Sequence, residues 1–102
     1  MDQVSVETAA KAENHKEHNV AVAVIMTVAV YPDEDDFRRV GENTVIAKVL
    51  HLAAEKYEIK NTADWVALVD GREIDASKTF KQEKLDCIVE IEWHKREGGG
   101  GA

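Results

Sequence analysis

The longest apolar stretch runs from Val20 to Tyr31, twelve residues interrupted only by Thr27. It is rich in valine, whose branched Cβ suits a pleated strand better than a helix. Pro32-Asp-Glu-Asp-Asp36 then reads as a turn, because proline presets φ and the acids solvate the loop. Phe37-Arg-Arg-Val40 is expected to return antiparallel and complete a hairpin. Gly41-Glu-Asn-Thr44 breaks that strand and offers Asn43 or Thr44 as a helix N-cap. Here the period changes. Ile46, Val49, Leu50, Ala53 and Tyr57 fall on one stripe at helical spacing, with Lys48, Glu55 and Lys56 opposite, which predicts an amphipathic helix over about 45–57.

Beyond Asn61-Thr-Ala-Asp64, the run Trp65-Val-Ala-Leu-Val69 predicts a short strand, Asp70-Gly71 a hairpin turn and Arg72-Glu-Ile74 a return strand. Asp75 to Lys84 is a polar crossover with one apolar anchor, Phe80. The last strand is expected over Leu85–Trp93, where Cys87, Val89, Ile91 and Trp93 alternate with Ile88, Glu90 and Glu92. That parity assigns Cys87 to the core, the usual place for a free cysteine. A single helix covers one face of a sheet, so the other face is expected to meet water. Trp65, Ala67 and Val69 share the helix side, which leaves Val66 and Leu68 on the outer face, beside Ile88 of the final strand.

Composition narrows the classes. The 102 residues suffice for one domain. A net charge of −7 argues against phosphate-backbone binding, which relies on clustered Lys and Arg. The lone Cys excludes an intrachain disulfide and a Cys-based zinc framework. The apolar run of twelve is shorter than the roughly 20 residues of a membrane-spanning helix, so no membrane partner is expected. These features suit a monomer in a reducing, cytoplasmic compartment. Residues 1–19 are polar and read as a mobile extension that offers little to bury. His15 and His18 flank Glu17 at helical spacing but gain no further strong ligand, so no metal site is expected there. Glu34-Asp-Asp36 lacks the spacing and the glycine of a calcium loop. His51 and His94 have no evident nucleophile to activate.

Four of the six glycines are Gly98, Gly99, Gly100 and Gly101, followed by Ala102. Alone, such a run reads as a flexible linker. Its place directly after an apolar strand changes that reading. The element order, with Val69-Asp-Gly-Arg-Glu-Ile74, then Cys87-Ile-Val-Glu-Ile-Glu-Trp93, His94-Lys-Arg-Glu97 and the glycines, resembles the β-grasp fold of ubiquitin over residues 20–101. Val40-Gly-Glu-Asn-Thr-Val-Ile46 is similar to that family's entry into its helix. The resemblance implies an α+β fold, a mixed sheet of four to five strands on one helix, with residues 20–97 as the domain and 98–102 as a tail. The chain departs from the family in its N-terminal extension, in a shorter crossover between Ile74 and Leu85, and in four glycines capped by Ala102.

Within the family the likeness is to bacterial ubiquitin-like proteins encoded beside an activating enzyme, a conjugating enzyme and a JAB-type protease. It implies a protein modifier rather than an enzyme. Gly101 would be the conjugation residue once the protease removes Ala102. Gly98, Gly99 and Gly100 would thread the activating enzyme's narrow channel, where a side chain would block passage. ATP would be consumed by the activating enzyme, so no cofactor is expected on this chain. By the same resemblance, Val66, Leu68 and Ile88 form a partner-binding face, with Leu68 aligned to ubiquitin's central isoleucine. Cover by the N-terminal extension is the alternative for that face. Two other functions remain open: a β-grasp sulfur carrier ending in a thiocarboxylate, against which Ala102 counts, and a non-covalent adaptor with an inert tail.

Overall fold

The computed structural model describes residues 18–96. The expected extension and glycine tail therefore lie almost wholly outside the described residues. In chain order the elements are β1 (Asn19–Ile25), β2 (Val30–Tyr31), β3 (Arg38–Gly41), α1 (Ile46–Lys56), β4 (Trp65–Val69), β5 (Arg72–Glu73) and β6 (Ile88–Lys95). Among the described residues the strands form one six-stranded mixed sheet, in the order β2-β1-β6-β4-β5, with β3 also paired to β1.

First and last strands lie side by side. β1 runs parallel to β6 from Ala21 opposite Ile88 to Ile25 opposite Glu92. On its other edge β1 takes β3 along Asn19–Val22 and β2 at Val24 and Ile25, both antiparallel. β4 is antiparallel to β6 and carries β5 on its far side. Alternation sets the two faces: Val20, Val22 and Val24 are fully buried toward the helix, as are or nearly are Val89, Ile91 and Trp93. α1 answers with Ile46, Val49, Leu50 and Ala53, the stripe that its spacing predicts. Ala67, Ile74, Phe80 and Leu85, with Met26 and Tyr31 from the first hairpin, complete the core, and Trp65 meets Trp93 edge to face with ring centroids 4.9 Å apart.

The expected four to five strands become six because Val20–Tyr31 is two strands. The amide of Met26 donates to the carbonyl of Ala29 at 2.9 Å and closes a tight turn, with Val28 79% exposed at its tip. This turn holds none of the usual turn residues, so the apolar run conceals it. At Asp70-Gly71 the signal is overt. Both residues have positive φ, 52° and 80°, as a type I′ hairpin turn requires.

The entry to α1 also differs from expectation. The N-cap is Val45 and makes no side-chain capping bond. Instead the amides of Ile46 and Ala47 donate to the carbonyls of Lys78 and Ala76, at 2.9 and 2.8 Å. The crossover thus supplies by backbone what Asn43 or Thr44 was expected to supply by side chain. It is itself held by a reciprocal pair: Gln82 Oε1 accepts from the Thr79 amide at 2.9 Å and Thr79 Oγ1 from the Gln82 amide at 3.0 Å. Phe80 is fully buried beneath it, the anchor that the sequence pattern predicts. Earlier in the crossover, Asp75 Oδ1 accepts from Ser77 Oγ at 2.6 Å and from the Ser77 amide at 3.0 Å. Those two bonds, with the charge of Lys78, hold the Asp75 carboxyl below its usual range.

The other end of α1 is tied to the first hairpin. Tyr57, last of the predicted stripe, donates its hydroxyl to the Val30 carbonyl at 2.6 Å, and the Lys56 ammonium donates to the Pro32 carbonyl.

Cys87 is a correction. It is exposed, not buried. The strand begins at Ile88 rather than Leu85, and Cys87 has φ of 63°. A left-handed residue does not continue the two-residue alternation, so parity with Val89 does not carry through it.

Candidate functional site

Two regions were expected to matter, the glycine tail and the outer face of the sheet. Gly98, Gly99, Gly100, Gly101 and Ala102 lie outside the described residues. The point from which the tail departs does not. Lys95, the last residue of β6, stands opposite Trp65. The next amide, Arg96, donates to the Asp64 carbonyl at 3.2 Å, and the Arg96 guanidinium meets the Glu73 carboxylate at 2.9 Å. The chain is therefore fixed to the sheet through Arg96.

The outer face is built from the alternate residues of β1, β6 and β4. Register decides who stands next to whom. One row crosses the sheet as Val30, Ile25, Glu92, Leu68 and Glu73. Neighbours in such a row are about 4.8 Å apart, so Glu92 is set between two half-buried apolar side chains. Val66 stands opposite His94, one row on. In the other direction Glu90 pairs with Ala23, and Ile88 with Ala21, itself opposite Arg39.

Val66 and Leu68 are thus on the expected face, but Ile88 is not beside them. It lies four residues along β6 from Glu92, about 13 Å away, with Glu90 between. The reason is length: β4 pairs only with Glu92–Lys95, while β1 pairs with the first part of β6. Ile88 is 67% exposed and borders a separate shallow groove with Cys87, Ala21 and Phe37. Phe37, from the loop before β3, also lines a second groove with Ala23, Ile25 and Glu90. The face meets water less fully than the pattern implied, and Ala23 is only 4% exposed.

Sequence reasoning passed over the carboxylates of this face. Glu90 and Glu92 are exposed and sit about 7 Å apart on one side of β6. Neither has an ion-pair or hydrogen-bond partner among the described residues. Their mutual repulsion is roughly half a kcal/mol in water. Asp35 and Asp36 border the groove that Glu90 lines. The signal in the sequence is the period-two spacing of Ile88, Glu90 and Glu92, which by itself fixes only the orientation of the strand.

Other candidates gain nothing from proximity. His51 is exposed and lies 3.3 Å from Glu55 on the helix surface. His94 Nδ1 contacts the Lys95 carbonyl at 3.0 Å. Among the described residues no three His, Cys, Asp or Glu side chains are grouped to hold a metal ion, and no helix is long and apolar enough to cross a membrane. His15 is outside the described residues, and His18 is exposed.

No protein-family model and no curated protein matches the chain. Solved structures do. A de novo protein designed on the basis of ubiquitin superposes with a TM-score of 0.60 at 15% identity, over 82% of this chain and 96% of that one. The N-terminal ubiquitin-like domain of the 4931431F19Rik protein gives 0.53 at 13% identity, over 93% of each chain. The fold is ubiquitin-like. The β-grasp expectation therefore holds, and at such low identity the likeness concerns the fold alone. Against that fold, β6 is the last strand, and Leu68 and Glu92 occupy the middle of the ubiquitin-like sheet's open face.

Proposed function

We propose that this chain is a ubiquitin-like protein modifier of the bacterial type, conjugated to target proteins through Gly101. Cleavage after Gly101 by a JAB-type protease would release Ala102 and expose the reacting carboxylate. An activating enzyme then joins that carboxylate to the α-phosphate of ATP, releasing pyrophosphate, and an enzyme thiolate displaces AMP to form a thioester. Transfer through a conjugating enzyme to an amine or hydroxyl on the target completes the relay and frees the thiol. The chain is the substrate of this sequence, and ATP binds its partner.

The observation that supports this reading is a ubiquitin-like domain whose final strand is followed, after two residues, by glycines. β6 ends at Lys95, Arg96 is anchored to Asp64 and Glu73, and the sequence continues as Glu97 and Gly98–Gly101. Glycine suits a carboxylate that must reach a nucleotide through a narrow passage, because no Cβ obstructs the backbone. Val66 and Leu68 on the outer face would serve as contacts for relay partners, with Ile88 as a separate contact at the far end of β6.

The test is to incubate the chain ending at Gly101 with its cognate activating enzyme and ATP, and to look for an ATP-dependent thioester by intact mass. Adenylation followed by a gain of 16 Da on this chain would instead mark a sulfur carrier. An activating enzyme that loads another modifier but never this chain would overturn the proposal.

A further inference from the structure

The geometry points to a basic partner for the outer face: a protein segment in which two cationic side chains pair with Glu90 and Glu92 while the apolar side chains flanking them rest on Leu68 and Ile25. This inference rests on the reading of that face as a partner surface and not on activation of Gly101; a chain that is never activated would still show it.

Three observations carry it. The face offers apolar contact from Ile25, Val30, Val66 and Leu68, all half-buried and therefore still presenting surface. Set among them are Glu90 and Glu92, about 7 Å apart and unpaired among the described residues, with Asp35 and Asp36 at the border. The cations on this side stand away from the centre: Arg39 shares the row of Ala21, at the Ile88 end, and Arg96 is already engaged by Glu73. A like-charged pair left without a counterion beside Ile25 and Leu68 gains from a partner that supplies cations, and that complementarity fixes both orientation and choice of partner.

Charge also separates the possible occupants. Residues 1–17 carry four acids against two lysines, so they repel this face rather than match it. A second copy brings a net charge of −7 to a surface of the same sign. A basic protein segment has neither disadvantage. The spacing of Glu90 and Glu92 suits Lys or Arg at i and i+2 of an extended segment, or at i and i+4 of a helix, a span of about 6 Å.

The experiment uses the full chain, labelled with nitrogen-15, and two synthetic peptides of equal length. One alternates leucine with lysine along an amphipathic pattern; in the other every lysine is glutamate. The lysine peptide is expected to shift the amides of β6 and β4 saturably, and its affinity is expected to fall about tenfold in Glu90→Gln/Glu92→Gln and further in Glu90→Lys/Glu92→Lys. The glutamate peptide is expected to leave these amides unmoved. If the lysine peptide binds Glu90→Lys/Glu92→Lys as tightly as the parent, the charge inference is wrong. Were Leu68→Ala, still folded by its dispersed spectrum, also to bind as tightly, the face itself would not be the docking surface. Concentration-dependent shifts of these amides without peptide would assign the face to a second copy. Shifts there on removing residues 1–17 would assign it to the chain's own N-terminus. Either result overturns the proposal.

Discussion

Arg96 is held to Glu73 across the end of the sheet, guanidinium to carboxylate at 2.9 Å, while its own amide donates to the Asp64 carbonyl at 3.2 Å. Both side chains are more than half exposed, 57% and 52%, so the ion pair itself contributes less than about 1 kcal/mol. Its effect is positional: it sets where the chain leaves the domain. Arg96→Ala is expected to lower stability by no more than about that amount, while speeding exchange of the amides of Lys95 and Arg96. Chemical denaturation paired with hydrogen exchange checks both outcomes.

The crossover makes a sharper prediction about the helix. Because Thr79 and Gln82 bond reciprocally and the Lys78 and Ala76 carbonyls receive the first helical amides, Thr79→Ala is expected to cost about 1 kcal/mol. Thr44→Ala, at a position that local pattern marks as a cap, is expected to cost less, because the N-cap is Val45, one residue on. Phe80→Ala, which empties a fully buried aromatic site under the same loop, is expected to cost about 3–5 kcal/mol. Urea midpoints of the three variants give the ranking.

Asp75 carries a pH signature. Its carboxyl is held below the usual range chiefly by the Ser77 hydroxyl, then by the Ser77 amide, with Lys78 adding to both. A carboxyl depressed in the folded state binds its proton more readily when unfolded, so its stabilising contribution is present above the unfolded value and is lost as pH falls through the folded one. Carbon-detected titration is expected to place Asp75 below an ordinary aspartate, and Ser77→Ala to move it back upward. The group is fully exposed, so its influence on overall stability is small.

Cys87 is exposed where alternation assigned it to the core. In the folded protein it is expected to react with a thiol reagent at a rate within about tenfold of the unfolded chain, as an accessible thiol should. A buried cysteine would react only on unfolding. Timed alkylation read by intact mass distinguishes the two.

These contrasts show what the sequence could carry. Helix α1 was legible because five apolar residues repeat at helical spacing, and Asp70-Gly71 because its two residues tolerate positive φ. The anchor Phe80 was legible as the one large apolar residue in a polar stretch. The turn between Met26 and Ala29 was not, since its geometry is set by pairing of β1 with β2 and not by turn residues. Cys87 was misplaced because one left-handed residue interrupts a period that looks continuous on paper. Neither the distance of Ile88 from Leu68 nor the position of Glu92 between Ile25 and Leu68 is local information. Both depend on which stretch of β6 each neighbour pairs with. The element order was readable; the surface that it assembles required the register.

The central claim is that the glycines beyond Arg96 are a reactive terminus. It is tested most directly by the mass of the activating enzyme after incubation with ATP and the chain ending at Gly101. The account predicts an adduct equal to the chain minus one water, released by a thiol reductant and absent without ATP. Little or no adduct is expected with the chain ending at Ala102. If an enzyme that charges another modifier forms no adduct with the Gly101-ended chain, or charges the Ala102-ended chain equally well, the account is contradicted.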